Sequence, residues 1–172
     1  MAEKLAESLI GMLGGLLSLS FGKELIVFII SMLPILELRG GLIAASLLGL
    51  SPLESYLISI IGNLIPVPFI LFLINRILKA MEKSRFKVFN GFYNFLHKKI
   101  QKHKTSIEKY GFWGLVIFVG IPLPGTGAWT GTMIASFLEM DKKKSFLAVL
   151  LGMLMASIIM MIISFGVISN IL

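Results

Sequence analysis

The chain has 172 residues, of which 56% are hydrophobic and only 15% charged, and its mean hydropathy is +0.93. One soluble core of this length cannot bury so much apolar surface, so the composition excludes an ordinary water-soluble domain and indicates an integral membrane protein. Sixteen Lys and Arg stand against nine Asp and Glu, a formal net charge of +7. Because the basic residues flank apolar segments, they point to the cytoplasmic membrane surface rather than to nucleic acid. The absence of cysteine rules out disulfides, thiolate metal sites and a cysteine nucleophile.

In chain order, residues 1–20 read as a retained, mildly amphipathic helix, since acidic residues stand where a signal peptide carries basic ones. Residues 21–75 then hold two short apolar runs broken at Pro34 to Gly41, "PILELRGG", followed by a run long enough to span at 52–75. Residues 112–172 repeat the plan, with a break at 120–131 that contains "PLPGTGAWTG" and a spanning run at 145–170. Proline removes a backbone donor and glycine weakens a helix, so each break leaves polar backbone to be satisfied inside the membrane. The economical arrangement is a re-entrant helical hairpin before each spanning helix. Between the two halves, residues 76–111 carry an apolar stripe of Phe86, Phe89, Tyr93, Leu96 and Ile100 at helical spacing, with Lys87, Lys98, Lys99 and Lys102 off it. This reads as an amphipathic helix in the cytoplasmic interface, the alternative being a solvated basic linker. His97 and His103 lie in it without metal-ligand spacing.

The halves align at an offset of 90 residues: Pro34 with Pro124, Gly41 with Gly131, Ala45-Ser46 with Ala135-Ser136, Ser55 with Ser145 and Gly62 with Gly152. A hairpin adds no net crossing and a spanning helix adds one, so two such repeats joined by a non-spanning segment are inverted relative to each other. That scheme puts 13 of the 16 basic residues on one face, which is then the cytoplasmic one. The expected fold is an all-α integral membrane protein, a single multi-pass domain in the cytoplasmic (plasma) membrane, built as an inverted repeat of re-entrant hairpin plus transmembrane helix.

"ELRGG", Glu37 to Gly41, together with "PLPGTGAWTG", Pro122 to Gly131, resembles the small multidrug export protein family and, through it, the wider DedA group of membrane proteins. The resemblance covers nearly the whole chain after Phe21. It implies opposed re-entrant hairpins that meet near mid-membrane and, for DedA-like members, movement of lipid phosphates such as polyprenyl-phosphate carriers. It also implies that charged residues in the hairpins matter, which fits Glu37 and Arg39. The second hairpin carries no charge at its tip, a departure from the DedA pattern.

Charge at membrane depth costs at least about 2.5 kcal/mol, so it usually has a partner and a role. With a second hairpin arm starting near Gly40 and Gly41, Arg39 and the helix N-terminus together suit a phosphate, and Glu37 would hold Arg39 or take up a proton. The alternative is a static ion pair that pins the broken helix. In the second tip, Pro122, Pro124, Gly125 and Gly127 permit tight turns that aim N–H groups at an anion, Thr126 and Thr130 add hydroxyls, and Trp129 suits the top of a lipid chain. There the alternative is a helix-packing corner built from small residues. Asn63, ahead of "PVP", either caps a kink or lines the path. With no metal-ligand set, HExxH, Ser/His/Asp grouping or phosphate loop, neither enzyme activity nor a cofactor is expected.

Three readings follow: a flippase for an anionic lipid gripped at Arg39, a proton-coupled exporter of small cationic or amphipathic compounds using Glu37, and a non-transporting assembly factor. Membrane lipids are the expected partners, nucleic acid is not, and a homodimer is left open. Single cysteines at Lys99 and Lys143 are expected to react with an impermeant maleimide from the cytoplasm, and one at Ser51 from outside. Reaction of Ser51→Cys and Lys143→Cys from the same side would dismantle the inverted arrangement.

Overall fold

A computed structural model describes residues 2–82, 98, 107, 109–123 and 125–167. The amphipathic interface helix expected at 76–111 falls largely outside the described residues, as does Pro124. The described chain is helical, with no strand among the described residues. In order come α1 (Ala2–Met12), a 3-10 turn (Gly14–Ser18), α2 (Gly22–Met32), α3 (Glu37–Leu47), α4 (Pro52–Leu64), α5 (Pro66–Glu82), α6 (Lys109–Gly120), α7 (Ala128–Phe137) and α8 (Lys142–Met161), which runs into a π-helical turn (Ile162–Val167).

Two stretches are long and apolar enough to cross a membrane. Helices α4 and α5 join through Ile65, whose backbone is helical, to give 23 such residues over Pro52–Ile74; α8 and the π turn give 25 over Lys142–Gly166. At 1.5 Å per residue each exceeds about 30 Å of hydrocarbon. Helices α2 and α3 have 11 residues each and α7 has 10, so each covers only about half that depth.

Helices α2, α3 and α4 pack as one group, α7 packs on α5 and α8, and α8 also touches α3 and α4. Small residues allow the close approaches. A Cβ on Gly62 would lie 2.8 Å from the Phe28 carbonyl of α2, and one on Gly152 would lie 2.8 Å from the Val116 carbonyl of α6. Helix α1 lies over α3, with Ala6 fully buried.

The two halves share a backbone device at the same 90-residue offset. Helix α3 ends with Gly49 N–H donating to Ser46 O (3.1 Å) and Leu50 N–H to Ala45 O (3.0 Å); α7 ends with Glu139 N–H donating to Ser136 O (3.2 Å) and Met140 N–H to Ala135 O (3.0 Å). Both are Schellman closures, which need a left-handed residue just past the helix. That residue is Gly49 at φ 70° and Glu139 at φ 52°. Two residues later a side chain opens the long helix: Ser51 Oγ accepts from Glu54 N–H (3.4 Å) and Asp141 Oδ1 from Lys144 N–H (2.9 Å). The left-handed conformation costs a side chain about 1–2 kcal/mol that glycine avoids. Glu139→Gly is therefore expected to raise stability by about 1 kcal/mol, and Gly49→Ala to lower it by a similar amount, read from thermal unfolding midpoints in detergent.

Candidate functional site

The two breaks, 33–36 between α2 and α3 and 121–127 between α6 and α7, lie against each other. Each interrupts a helix, so carbonyls at the end of one arm and N–H groups at the start of the next lose their helical partners. The first break is turned by Glu37, whose backbone is left-handed at φ 54° although it carries a side chain. That conformation sends the chain into α3 and sends the carboxylate across to the second hairpin.

Glu37 is 4% exposed and is the one charged residue among the buried described residues. Its Oε2 accepts from Ala128 N–H and its Oε1 from Trp129 N–H, both at 3.0 Å. The carboxylate thus caps the first turn of α7 from another part of the chain, satisfying two orphan donors at the positive end of that helix. The residue preceding α7 is Gly127, at φ 131°, and a Cβ there would collide with the Glu37 carboxylate. Glycine supplies both the backbone geometry and the space for the capping group.

Arg39, half-buried, reaches the opposite end of the same break. Its Nη1 donates to Leu123 O (2.7 Å), and its Nη2 donates to Thr126 Oγ1 (3.2 Å) and Ile121 O (3.4 Å). The Thr126 hydroxyl in turn lies 2.9 Å from both the Ile121 and Leu123 carbonyls. A planar fork of donors fits this group of carbonyls in a way that a point-like ammonium does not. The second hairpin answers in kind: Trp129 Nε1 donates to Met32 O at the end of α2 (3.2 Å). Residues 39 and 129 correspond at the 90-residue offset, and each donates to the end of the first arm of the other hairpin.

Several sequence expectations are altered by this geometry. Helix α3 starts at Glu37 rather than near Gly40, and Gly40 N–H bonds to Leu36 O (2.9 Å). Gly40 and Gly41 are buried packing positions, Gly40 against Leu36 and Gly41 against Ser31 of α2. In the second tip, the N–H groups that meet an anion are those of Ala128 and Trp129, directly after Gly127, and the anion they hold is Glu37. Gly125, at φ 88°, and Pro122 shape the break, and Thr130 is buried in α7. The Trp129 indole packs with Ile70 and Ile74 of α5 and Met133. Asn63 is fully buried with neither amide atom bonded, so it caps no kink; Ser59, one turn earlier, is likewise buried with an unbonded hydroxyl. Sequence reasoning missed the carbonyls of Met32, Ile121 and Leu123. No residue type marks them, since they are backbone atoms.

Gly127→Ala is expected to cost about 2–4 kcal/mol, combining backbone strain with the loss of the Glu37 cap. Adding Glu37→Ala to it should cost much less than the two single effects combined, measured as a double-mutant cycle of thermal stability in detergent.

No curated protein and no solved structure matches the chain. A family model described as "Putative small multi-drug export protein" matches residues 37–159, from the capping carboxylate at the start of α3 to the last turn of α8. With most of its length covered by that match and two apolar helices of spanning length, the chain belongs to this small multi-drug export protein family of membrane proteins.

Proposed function

We propose that the protein exports small cationic or amphipathic compounds across the cytoplasmic membrane, with Glu37 as the carboxylate that exchanges proton for substrate where the two hairpin tips meet. The observation that carries this reading is the buried Glu37 carboxylate holding Ala128 and Trp129 N–H across the two halves. A proton on either oxygen sets a donor against a donor, and a bound cation draws the same lone pairs away. Either event loosens the contact between the hairpins, so occupancy of the carboxylate is coupled to separation of the tips.

In this reading the half-length helices α2, α3, α6 and α7 form two re-entrant hairpins, and the two halves are an inverted repeat. The matched Schellman closures and caps 90 residues apart support a repeat, as do the reciprocal bonds from Arg39 and Trp129. Reciprocity of that kind accompanies two-fold symmetry. The three lysines that open α8 would then lie on the cytoplasmic face, as would the joining segment.

A second reading, translocation of an anionic lipid such as a polyprenyl phosphate, is favoured by one feature. The donors gathered at the tips, Ala128 and Trp129 N–H with Arg39 nearby, form an anion-holding set that Glu37 now fills, and a lipid phosphate would enter by displacing that carboxylate.

Purified protein in vesicles separates the two. A proton gradient is expected to drive a fluorescent organic cation across, and Glu37→Gln, checked for folding, should reduce that flux to the protein-free background. Arg39→Lys, which keeps at least one bond to the break carbonyls, should retain most of it. If instead the vesicles move a labelled lipid phosphate but no cation, and Arg39→Lys stops that movement, the lipid reading replaces this one.

A further inference from the structure

Away from the hairpin tips, α5 and the start of α8 enclose a groove of about 380 Å³. This is within the range of roughly 300–1,000 Å³ typical of ligand sites. Its walls are apolar, formed by Leu71 and Phe72 of α5 and by Phe146 and Leu147 of α8, and Lys142 and Lys143 at the start of α8 line its end. Phe72 and Leu147 are 60% and 52% exposed, so the walls present hydrocarbon to whatever surrounds the two helices. The Lys142 ammonium lies 4.3 Å from the centroid of the Phe72 ring.

The charge at this end runs against the local helix. Lys142, Lys143 and Lys144 occupy the first turn of α8, where the helix dipole disfavours cations, while Asp141 Oδ1 is engaged by the Lys144 N–H. Glu139, in the preceding turn, is exposed. A ligand that brings a negative group to this end and a hydrocarbon tail to the walls complements both features. A small soluble anion uses only the lysines, and a neutral lipid uses only the walls.

We infer that this groove binds an anionic phospholipid, with one acyl chain between α5 and α8 and its phosphate between Lys142 and Lys143. The occupant comes from the membrane itself, because α5 belongs to one spanning helix and α8 to the other, and a groove between them opens sideways into the bilayer. Lysines long enough to reach the headgroup layer keep their stems on the apolar walls. This assignment does not depend on which compound is exported.

The test uses the full-length protein with Phe146→Trp as a reporter, in phosphatidylcholine vesicles that contain brominated phosphatidylglycerol. Fluorescence is compared with that of the parent chain, whose Trp113 and Trp129 give the background. The added indole is expected to be quenched by brominated phosphatidylglycerol at lower mole fractions than by brominated phosphatidylcholine. Lys142→Gln and Lys143→Gln should each weaken that preference by about fivefold, the effect of one lysine near a charged lipid surface, whereas Lys144→Gln should not. Helical content measured by circular dichroism confirms folding. A second readout is the thermal midpoint of the parent protein in detergent, which phosphatidylglycerol should raise more than phosphatidylcholine does. Equal quenching by the two lipids, or a preference unchanged in the Lys142→Gln/Lys143→Gln double variant, would overturn the assignment.

Discussion

The fold depends on the satisfaction of broken helix ends where the two breaks meet. Two interrupted helices leave carbonyls at the ends of α2 and α6 and N–H groups at the start of α7, and each such group costs free energy if buried without a partner. The chain meets these needs across the break rather than within it. Arg39 serves the α6 end, Trp129 serves the α2 end and Glu37 serves the α7 start. Neither hairpin is complete without the other, which is why their tips lie together and why the polar residues at the tips come from different halves.

The same constraint explains why the two tips differ in composition. Capping the start of α7 with a carboxylate requires an acidic residue in only one tip and an empty position in the other, and Glu37 and Gly127 correspond at the repeat offset. A second carboxylate at position 127 would set two like charges against one helix start. Position 129 needs only a donor for a single carbonyl, and the indole provides one without charge. Arg39 faces a cluster of two carbonyls and a hydroxyl, for which a guanidinium has enough donors. One acid and one base therefore supply the charged contacts between the two breaks.

Much of this was legible in the sequence because it is written in side chains. The long apolar runs, the Pro/Gly breaks and the 90-residue offset all follow from residue type, and the structure places helices of spanning length over Pro52–Ile74 and Lys142–Gly166. Apart from the Thr126 hydroxyl, the partners given for Glu37 and Arg39 were not legible, since they are backbone atoms, which every residue carries alike. The start of α3 was misplaced because "RGG" looks like a helix opening, whereas a left-handed Glu37 begins the helix earlier, a conformation no rule of composition assigns to glutamate. Asn63 left two roles open, capping a kink or lining the path, and its unbonded carboxamide removes the first.

The strength of the contact bears on what it can do. A hydrogen bond to a charged group contributes about 1.5–3 kcal/mol, so the two N–H bonds to Glu37 together hold the tips with roughly 3–6 kcal/mol. Moving a two-state equilibrium from 1:99 to 99:1 takes about 5.5 kcal/mol. Under the proposed exchange, one proton removes the bond at the oxygen it occupies, about 1.5–3 kcal/mol, and leaves the other oxygen as a neutral acceptor, so it shifts such an equilibrium part of the way. A contact built wholly from apolar packing would offer no group for a proton to act on, and one built from many ion pairs would be too strong for a single proton to release. A single carboxylate on a helix start, held by two backbone donors, lies between these limits.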